Sequence, residues 1–284
     1  MIALQEIAAA AAKLTPADKE RTLRFLMRKL QRVLVAYSGG VDSSYLAKVA
    51  TEELGPNATC VIGLSPSVSK FQRESAVRIA KANGFNILML DTDELADPRY
   101  AANQGDRCYF CKSELYSKLS EVADGQKAVI LDGTNADDLS GHRPGRVAAA
   151  EHGVHSPLAE LGFTKEDIRE LSKTSGLETW DQPASPCLSS RVAVGVPVTL
   201  ERLSRIERAE AILRDMGFRE FRVRVHGELA RVEISPAELP TALDAAVAER
   251  IARGLKESGF KFVTLDLEGF RSGSVSVSSD TVKN

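Results

Sequence analysis

Two cysteines separated by two residues, Cys108 and Cys111, are the side chains whose spacing most directly suggests chemistry. They lie in the segment GDRCYFCKSELY, and the other cysteines of the chain are Cys60 and Cys187. A C-x-x-C pair serves a redox dithiol, a zinc site or an iron–sulfur cluster, so the spacing alone leaves all three open. A structural zinc site usually has two such pairs, so a lone pair needs a further ligand to hold a metal.

A second segment with chemical potential is VLVAYSGGVDSSYLAK, in which a predicted strand leads through a Gly-Gly turn into a helix. Glycines at such a turn let backbone N–H groups approach an anion, and the helix N-terminus adds a favourable dipole. The alternative is a tight turn that serves packing only. The pattern lacks the lysine of a Walker loop. We predict a phosphate-binding loop formed by Ser38, Gly39, Gly40, Asp42 and Ser43.

The segment GTNADD, residues 133–138, follows the fourth predicted strand and carries another set of polar side chains. Paired carboxylates at the end of a strand suit Mg²⁺, which predicts a metal bound by Asp137 with Asp138 beside it. The alternative is that both aspartates cap the next helix.

Arginines supply the candidate anion-binding groups in the second half of the chain. Arg191 follows Cys187 closely enough to reach the same site. On a predicted hairpin, Arg222 and Arg224 alternate with valines and therefore project from one face. Because guanidinium groups bind phosphate and carboxylate in a bidentate manner, these arginines are candidate substrate ligands, and Arg143 is a further one.

Acidic residues near these arginines allow other interpretations. Arg222 and Arg224 also fit a solvated sheet face on which they pair with Glu228 or Glu233. Glu210 and Glu233 are candidate ligands of a divalent ion, although ordinary surface carboxylates are the commoner case.

Short apolar strands alternate with amphipathic helices over the first part of the chain, which predicts a parallel sheet covered on both faces. Thr15 and Pro16 predict the start of the first helix, and Gly84 predicts the end of a later one. Cys60 stands inside a strand, where we expect a buried apolar residue. The predicted strands are RVLVAYS, ATCVIGLS, NILMLDTD and KAVILDGT, and a loop carrying the C-x-x-C motif leads into the helix YFCKSELYSKLSEVA.

A smaller α+β unit is predicted after a Pro- and Ser-rich connector. It consists of the helix LERLSRIERAEAILRDMGF, the hairpin FRVRVHGELARVEI turning at His226-Gly227, the helix AAVAERIARGLKESGF and the strand KFVTLDLEG. The predicted divisions are a helical segment (1–31), an α/β domain (32–185), a cysteine loop (186–198), an α+β domain (199–274) and a disordered tail (275–284).

Composition narrows the classes of protein to consider. The 284 residues are 43% hydrophobic and 27% charged with a net charge of -2, which gives no overall attraction to nucleic acid. Few cysteines indicate a reducing compartment, and no apolar run approaches the length of a membrane span. We therefore expect a cytoplasmic protein that acts without membrane or nucleic acid.

The pattern S-G-G-x-D-S after the first strand resembles the PP-loop of the ATP-pyrophosphatase superfamily. These enzymes split ATP into AMP and pyrophosphate to activate a substrate oxygen. The resemblance implies an adenine nucleotide alpha hydrolase-like parallel sheet, with ATP phosphates on the loop and Mg²⁺ across them. The resemblance also implies that adenine binds at the end of the second strand, at Gly63, Leu64 and Ser65. The GTNADD segment matches the superfamily as well, which implies that Gly133 and Asp137 bind the nucleotide.

Further segments resemble, in order, the LarE family: RCYFCK, GTNADDLSGHRPG, HSPLAELGFTKEDIREL, WDQPASPCLSSR and TLDLEGFRSGS. Members of that family are ATP-dependent sulfur transferases that act on pyridinium-3,5-biscarboxylic acid mononucleotide and make the precursor of the nickel-pincer nucleotide cofactor of lactate racemase. The resemblance runs from about Arg32 to Ser274 and implies a homo-oligomer. His142 stands where the family pattern has an Asp-Tyr pair, so it either alters a contact with substrate or is an ordinary loop residue.

Two sulfur sources occur in the family. In one, a loop cysteine gives up its own sulfur and each chain turns over once. In the other, three cysteines hold a [4Fe-4S] cluster whose fourth iron carries an extra sulfide. The resemblance implies that Cys108, Cys111 and Cys187 are the ligands of such a cluster, and that Cys187 and Arg191 are catalytic. The sacrificial use of Cys187 stays open.

Two other classes remain as alternatives. A PP-loop tRNA thiolase also joins this loop to a three-cysteine cluster, but the composition is not basic. A non-catalytic ATP-binding regulator would bind ATP without splitting it, and would leave the cysteines unexplained.

Overall fold

A computed structural model describes residues 14–140 and 143–271 of the chain. The predictions for the first thirteen residues, for His142 and for the tail fall outside these ranges. Among the described helices, none has both the length and the apolar character needed to cross a bilayer. The described residues divide into two compact units. The first consists of residues 14–65, 70–94, 108–140 and 143–185, and the second of residues 66–69, 95–107 and 186–271.

The described strands and helices follow each other in this order: α1 (Pro16–Leu30), β1 (Val33–Ala36), α2 (Val41–Leu54), β2 (Ala58–Leu64), α3 (Lys70–Ala82), β3 (Asn86–Asp91), α4 (Pro98–Ala102), α5 (Arg107–Gln126), β4 (Val129–Asp132), α6 (Pro144–Glu151), α7 (Pro157–Glu160), α8 (Lys165–Thr174), α9 (Leu200–Asp215), β5 (Phe221–His226), β6 (Leu229–Ile234), α10 (Leu239–Ala242), α11 (Ala245–Glu257) and β7 (Phe262–Leu265).

The first unit contains a parallel sheet whose four described strands stand in the order β3-β2-β1-β4. From β1 the chain moves outward through β2 to β3 and then returns to the opposite side of β1 for β4. The order therefore reverses between β1 and β4, and ligands of such sheets bind in the crevice at the carboxyl ends of the strands at this point. The predicted α/β fold, with a PP-loop type of sheet and a smaller second domain, is confirmed.

Both faces of this sheet are covered, as its continuous apolar strands predict. Val33 and Val35 belong to one core cluster, which includes Leu23 of α1 and Tyr45 of α2. Leu34 points to the other face, where the core includes Tyr116 and Leu119 of α5 and Ile130 of β4. The position of α5 on this second face matters for the site, because α5 carries the C-x-x-C pair.

The second unit contains a three-stranded sheet in the order β5-β6-β7, with β5 and β6 antiparallel and β6 and β7 parallel. His226 pairs with Leu229, so the hairpin turns at Gly227 and Glu228 and not at His226-Gly227 as predicted. Gly227 has a φ of 61°, which a glycine adopts without strain, and this places it inside the two-residue turn.

The predicted helix boundaries hold at Thr15 and Gly84. Thr15 caps α1 in a capping box with Asp18, and Gly84 adopts a φ of 68° after α3. One boundary was wrong: α5 begins at Arg107, so Cys108 lies in its first turn and not in a preceding loop. Asp106, directly before this helix, is a residue type that favours the N-cap position, and the prediction started the helix two residues later because it did not use this signal.

Candidate functional site

The predicted phosphate loop connects the carboxyl end of β1 to α2. Gly39 has a φ of 76°, and a Cβ on it would lie 2.7 Å from the Cβ of Ala76, so both conformation and space require glycine. Gly40 is the N-cap residue of α2, and no described side chain caps this helix. The Oγ atoms of Ser38 and Ser43 lie 3.1 Å apart across the loop. The loop therefore presents backbone amides, two hydroxyls and a helix N-terminus, which together suit an anion.

The residue after β4 comes very close to this loop. A Cβ on Gly133 would lie 2.9 Å from the backbone nitrogen of Ser43 and 3.1 Å from its Cα. Gly133 has an ordinary backbone φ, so the constraint on it is space alone. The ends of β1 and β4 thus enclose a narrow cradle at the reversal of strand order, and any side chain at position 133 would fill it.

Asp42 and Asp137, the two aspartates predicted for the nucleotide site, both contact Lys165. The sequence analysis did not indicate Lys165. The Lys165 ammonium lies 2.5 Å from an oxygen of Asp42, and its backbone amide donates to Asp137 at 2.7 Å. The other oxygen of Asp42, Oδ1, is buried without a hydrogen-bond partner among the described residues. Lys165 therefore joins the phosphate loop, the GTNADD segment and the start of α8.

Asp138 takes part in capping, which was the alternative predicted for the aspartate pair. Asn135 caps the turn 136–139, and its backbone amide donates to Asp138 in return. Arg143 forms an ion pair with Asp138 at 2.9 Å while its side chain stays 56% exposed. The exposed guanidinium is thus held beside the GTNADD segment.

The carboxyl end of β2, predicted to contact adenine, consists of Gly63, Leu64 and Ser65. A Cβ on Gly63 would lie 3.4 Å from Leu115 of α5. Ser65 is buried, and its hydroxyl donates to the buried Glu94. Since β2 pairs with β1, this strand end and the phosphate loop lie on the same edge of the sheet.

The C-x-x-C pair occupies the first turns of α5, where residues three apart share a face. Cys108 is exposed and Cys111 is half-buried. A Cβ on Gly145 would lie 3.1 Å from Lys112 and 3.5 Å from the Cys108 carbonyl, so the start of α6 packs directly against this turn. Cys60 is fully buried as predicted, and burial raises the pKa of its thiol to about 12.

A polar network around the buried Asp132 links the cysteine helix to the end of β4. Lys112 donates to the Tyr116 hydroxyl at 2.8 Å, and that hydroxyl donates to Asp132 at 2.9 Å. Ser156 and Thr134 also donate to Asp132. Burial alone would raise the pKa of Asp132, but the Lys112 ammonium 3.6 Å away and these hydrogen bonds lower it. Lys112, next to Cys111, was not indicated by the sequence because its ion-pair partner Asp132 lies on another element, β4.

Arg191 holds the loop of Cys187 in the second unit. Its guanidinium forms two hydrogen bonds to Glu210, at 2.8 and 3.0 Å, and both side chains are buried. The remaining nitrogen donates to the carbonyls of Pro186 and Cys187, at 2.6 and 2.9 Å, and to the hydroxyl of Ser190. These contacts make Arg191 a residue that positions the backbone around Cys187.

Arg222 and Arg224 share one face of the hairpin as predicted, but this face is not solvated. Arg224 is buried and pairs with Glu233 at 2.9 Å. Arg222 stacks 4.8 Å from the ring centre of Phe270, and burial together with repulsion from Arg191 lowers its pKa to about 10.

The sequence analysis treated ordinary surface carboxylates as the commoner case for Glu210 and Glu233, but neither residue lies at the surface. Their side chains are 6% and 0% exposed and are neutralised by Arg191 and Arg224. A buried carboxylate requires such a partner. The pairing of Arg224 with Glu233 is one that the alternative interpretation named, but that interpretation placed the pair on a solvated face, whereas both side chains are buried.

The candidate cluster ligands are divided between the units. Cys108 and Cys111 belong to the first unit and Cys187 to the second, and no disulfide joins the cysteines of the chain. Across residues 14–140 and 143–271, three or more His, Cys, Asp or Glu side chains do not come together as a metal-ligand group.

Comparison with known proteins gives relatives over nearly the whole chain. The chain is 44% identical over 257 residues to an uncharacterised protein of Synechocystis, which covers 90% of this chain and 96% of that protein. It is 38% identical over 261 residues to the pyridinium-3,5-bisthiocarboxylic acid mononucleotide synthase of Lactiplantibacillus plantarum, which covers 91% and 94%. A glutamine-hydrolysing GMP synthase of Exiguobacterium sibiricum is 27% identical over 210 residues, or 65% of this chain and 40% of that enzyme. No family model matches the chain.

Proposed function

The chain belongs to the LarE family, that of the pyridinium-3,5-bisthiocarboxylic acid mononucleotide synthase, and on this premise we propose that it is an ATP-dependent sulfur transferase. Its proposed substrate is pyridinium-3,5-biscarboxylic acid mononucleotide, and its product is the thiocarboxylate used to build the nickel-pincer nucleotide cofactor. The observation that carries the proposal is the glycine-lined cradle between Gly133 and the Ser43 amide at the reversal of strand order.

ATP is the ligand proposed for this edge of the sheet. The amides after Gly39 and the hydroxyls of Ser38 and Ser43 would bind its phosphates, and the end of β2 would take the adenine. Mg²⁺ fits the buried and unpartnered Oδ1 of Asp42, together with Asp137, and would neutralise charge on the phosphates. Lys165 contacts both aspartates, Asp42 through its ammonium and Asp137 through its backbone amide.

The first chemical step is adenylation of a substrate carboxylate. A carboxylate oxygen attacks the α-phosphorus of ATP, an O–P bond forms, and the bond to the leaving pyrophosphate breaks. The phosphate loop holds the ATP in position for this displacement, and positioning is the main contribution of a protein to such reactions. In the second step sulfur attacks the acyl carbon and AMP leaves.

Sulfur is proposed to come from a [4Fe-4S] cluster. Cys108 and Cys111 would supply two thiolates from one face of α5, and Cys187 would supply the third. A cluster held by three thiolates leaves one iron open, which would supply a site for a transferable sulfide. Arg191 would fix the Cys187 backbone, and Arg222 would contribute positive charge for the substrate's phosphate and carboxylates. Arg224, predicted as a substrate ligand, is instead neutralised by the buried Glu233 and donates to the Ser190 carbonyl.

The test combines two measurements on protein purified without oxygen. Isotope exchange between pyrophosphate and ATP should require the pyridinium mononucleotide, and iron and acid-labile sulfide should reach about four each per chain. Cys108→Ala should lose the iron, whereas the matched control Cys60→Ala, which changes the buried cysteine of β2, should keep it.

Each other result identifies an alternative. Substrate-dependent exchange with no iron after reconstitution, followed by one thiocarboxylate per chain, would indicate that Cys187 gives up its own sulfur. Exchange that requires tRNA would indicate a tRNA thiolase, and ATP binding without exchange would contradict the enzymatic proposal. We also propose a homo-oligomer, which light scattering of the purified protein would test.

A further inference from the structure

We propose that Tyr100 is a positioning residue for the Cys187 loop, acting through a closed ring of three buried hydroxyl groups formed with Ser67 and Ser189. The proposal rests on the proposed function, in which Cys187 holds or donates the sulfur. Neither Ser67 nor Tyr100 lies in a motif that the sequence analysis assigned to the site.

The ring is formed within the second unit. The Tyr100 hydroxyl lies 2.5 Å from the Ser67 Oγ and 2.7 Å from the Ser189 Oγ, and Ser189 donates to Ser67 at 3.1 Å. All three side chains are buried, with Tyr100 only 1% exposed. Three hydroxyls in a ring allow each oxygen to donate one hydrogen bond and accept another, which is how buried polar groups avoid a desolvation penalty.

The ring is connected directly to the residues that follow Cys187. Ser189 is the second residue after it, and the backbone amide of Leu188 donates to the Ser67 carbonyl at 2.7 Å. From the other side Arg191 donates to the Cys187 carbonyl, and Arg224 donates to the Ser190 carbonyl at 2.9 Å. The ring therefore completes a set of contacts that fixes this turn on both sides.

The ring geometry makes a specific prediction about its members. Removing the phenol oxygen with Tyr100→Phe leaves two serine hydroxyls that share one hydrogen bond, so one O–H group loses its acceptor in the ring. Removing Ser67 with Ser67→Ala breaks the same ring at another point. Because either change opens the ring, amide exchange at residues 186–192 should be little faster in the double variant than in either single variant. Independent hydrogen bonds would instead give additive effects on that exchange.

The experiment measures amide hydrogen exchange in the full-length protein without ATP or substrate, on peptides that cover residues 186–192. In Tyr100→Phe, exchange of the Leu188, Ser190 and Val192 amides should accelerate about tenfold, because the turn loses the hydrogen bonds by which the Tyr100 hydroxyl connects Ser189 to Ser67. Sulfur transfer should slow by about tenfold or more, because the reacting group is less well placed. The KM for ATP and the pyrophosphate exchange rate should stay within about twofold.

The matched control is Tyr45→Phe, a buried tyrosine of the first unit whose hydroxyl has no hydrogen-bond partner among the described residues. It should leave exchange at residues 186–192 unchanged. If Tyr100→Phe and Ser67→Ala both leave that exchange within twofold of the original protein, the positioning role is refuted. Accelerated exchange in a protein that shows no sulfur transfer would support the role of the ring and overturn the proposed function instead.

Discussion

The close contact between Gly133 and the phosphate loop can be tested by adding one methyl group. Gly133→Ala adds a Cβ that would lie 2.9 Å from the Ser43 nitrogen, whereas ordinary van der Waals contact begins at 3.4 Å. The β4 end and the phosphate loop must therefore separate by about 0.5 Å, which is the difference between these distances. Inserting one extra carbon into such a packed contact costs about 1–3 kcal/mol.

We expect most of this cost to fall on ATP binding, because the displaced atoms are the amide and Cα of the phosphate loop itself. At about 1.4 kcal/mol for each factor of ten, the dissociation constant of ATP should rise by roughly 5- to 150-fold. Titration calorimetry with a non-hydrolysable ATP analogue measures this change, and circular dichroism of the same sample shows that the variant is folded.

Gly125→Ala is the matched control, because a Cβ on this glycine of α5 would have no atom within 4 Å. It should leave the affinity for the analogue unchanged and slightly stabilise the helix. A folded Gly133→Ala protein with an affinity within twofold of the original would refute the assignment of this cradle to the phosphates.

Two further predictions concern buried charges. The pKa of Asp132 is lowered in the folded protein, so the stability that its ionised carboxylate contributes is present above its ordinary pKa of 3.8 and is lost as the pH falls through the lowered value. The free energies of unfolding of Asp132→Asn and of the original protein, measured in urea, should therefore differ at neutral pH and converge in acid. A difference that does not change with pH would contradict this reasoning. Glu210→Ala leaves Arg191 buried without its carboxylate and should reduce the free energy of unfolding by about 3–5 kcal/mol, whereas Glu249→Ala on the exposed side of α11 should change it by less than about 0.5 kcal/mol.

The sequence predicted the parts of the fold that depend on local patterns. Parallel strands form continuous apolar runs, so β1 to β4 were found, including β3, whose residues are half-buried or exposed. The Gly-Gly turn after β1 was located because paired glycines between a strand and a helix are typical of a tight turn or of an anion-binding loop. The same logic identified the cap of α1 at Thr15.

Such local patterns do not predict ion pairs between residues on different elements. Lys165 meets Asp42 across 123 residues of chain, and Lys112 reaches Asp132 only because α5 packs on the β4 side of the sheet. Glu210 was expected at the surface for the same reason, since its burial depends on Arg191 and on the fold of the whole second unit.

The segments Pro66–Ser69 and Leu95–Arg107, which belong to the second unit, have a consequence for how the chain is made. During synthesis Ser67 and Tyr100 leave the ribosome before Ser189, so their ring can form only after the later part of the chain has been made. The second unit therefore cannot be isolated by cutting the chain once: a fragment starting at residue 186 would contain Ser189 without its two partners. The segments of the two units are interleaved along the chain, and transferring the Cys187 loop with its contacts to another scaffold would require all three chain segments.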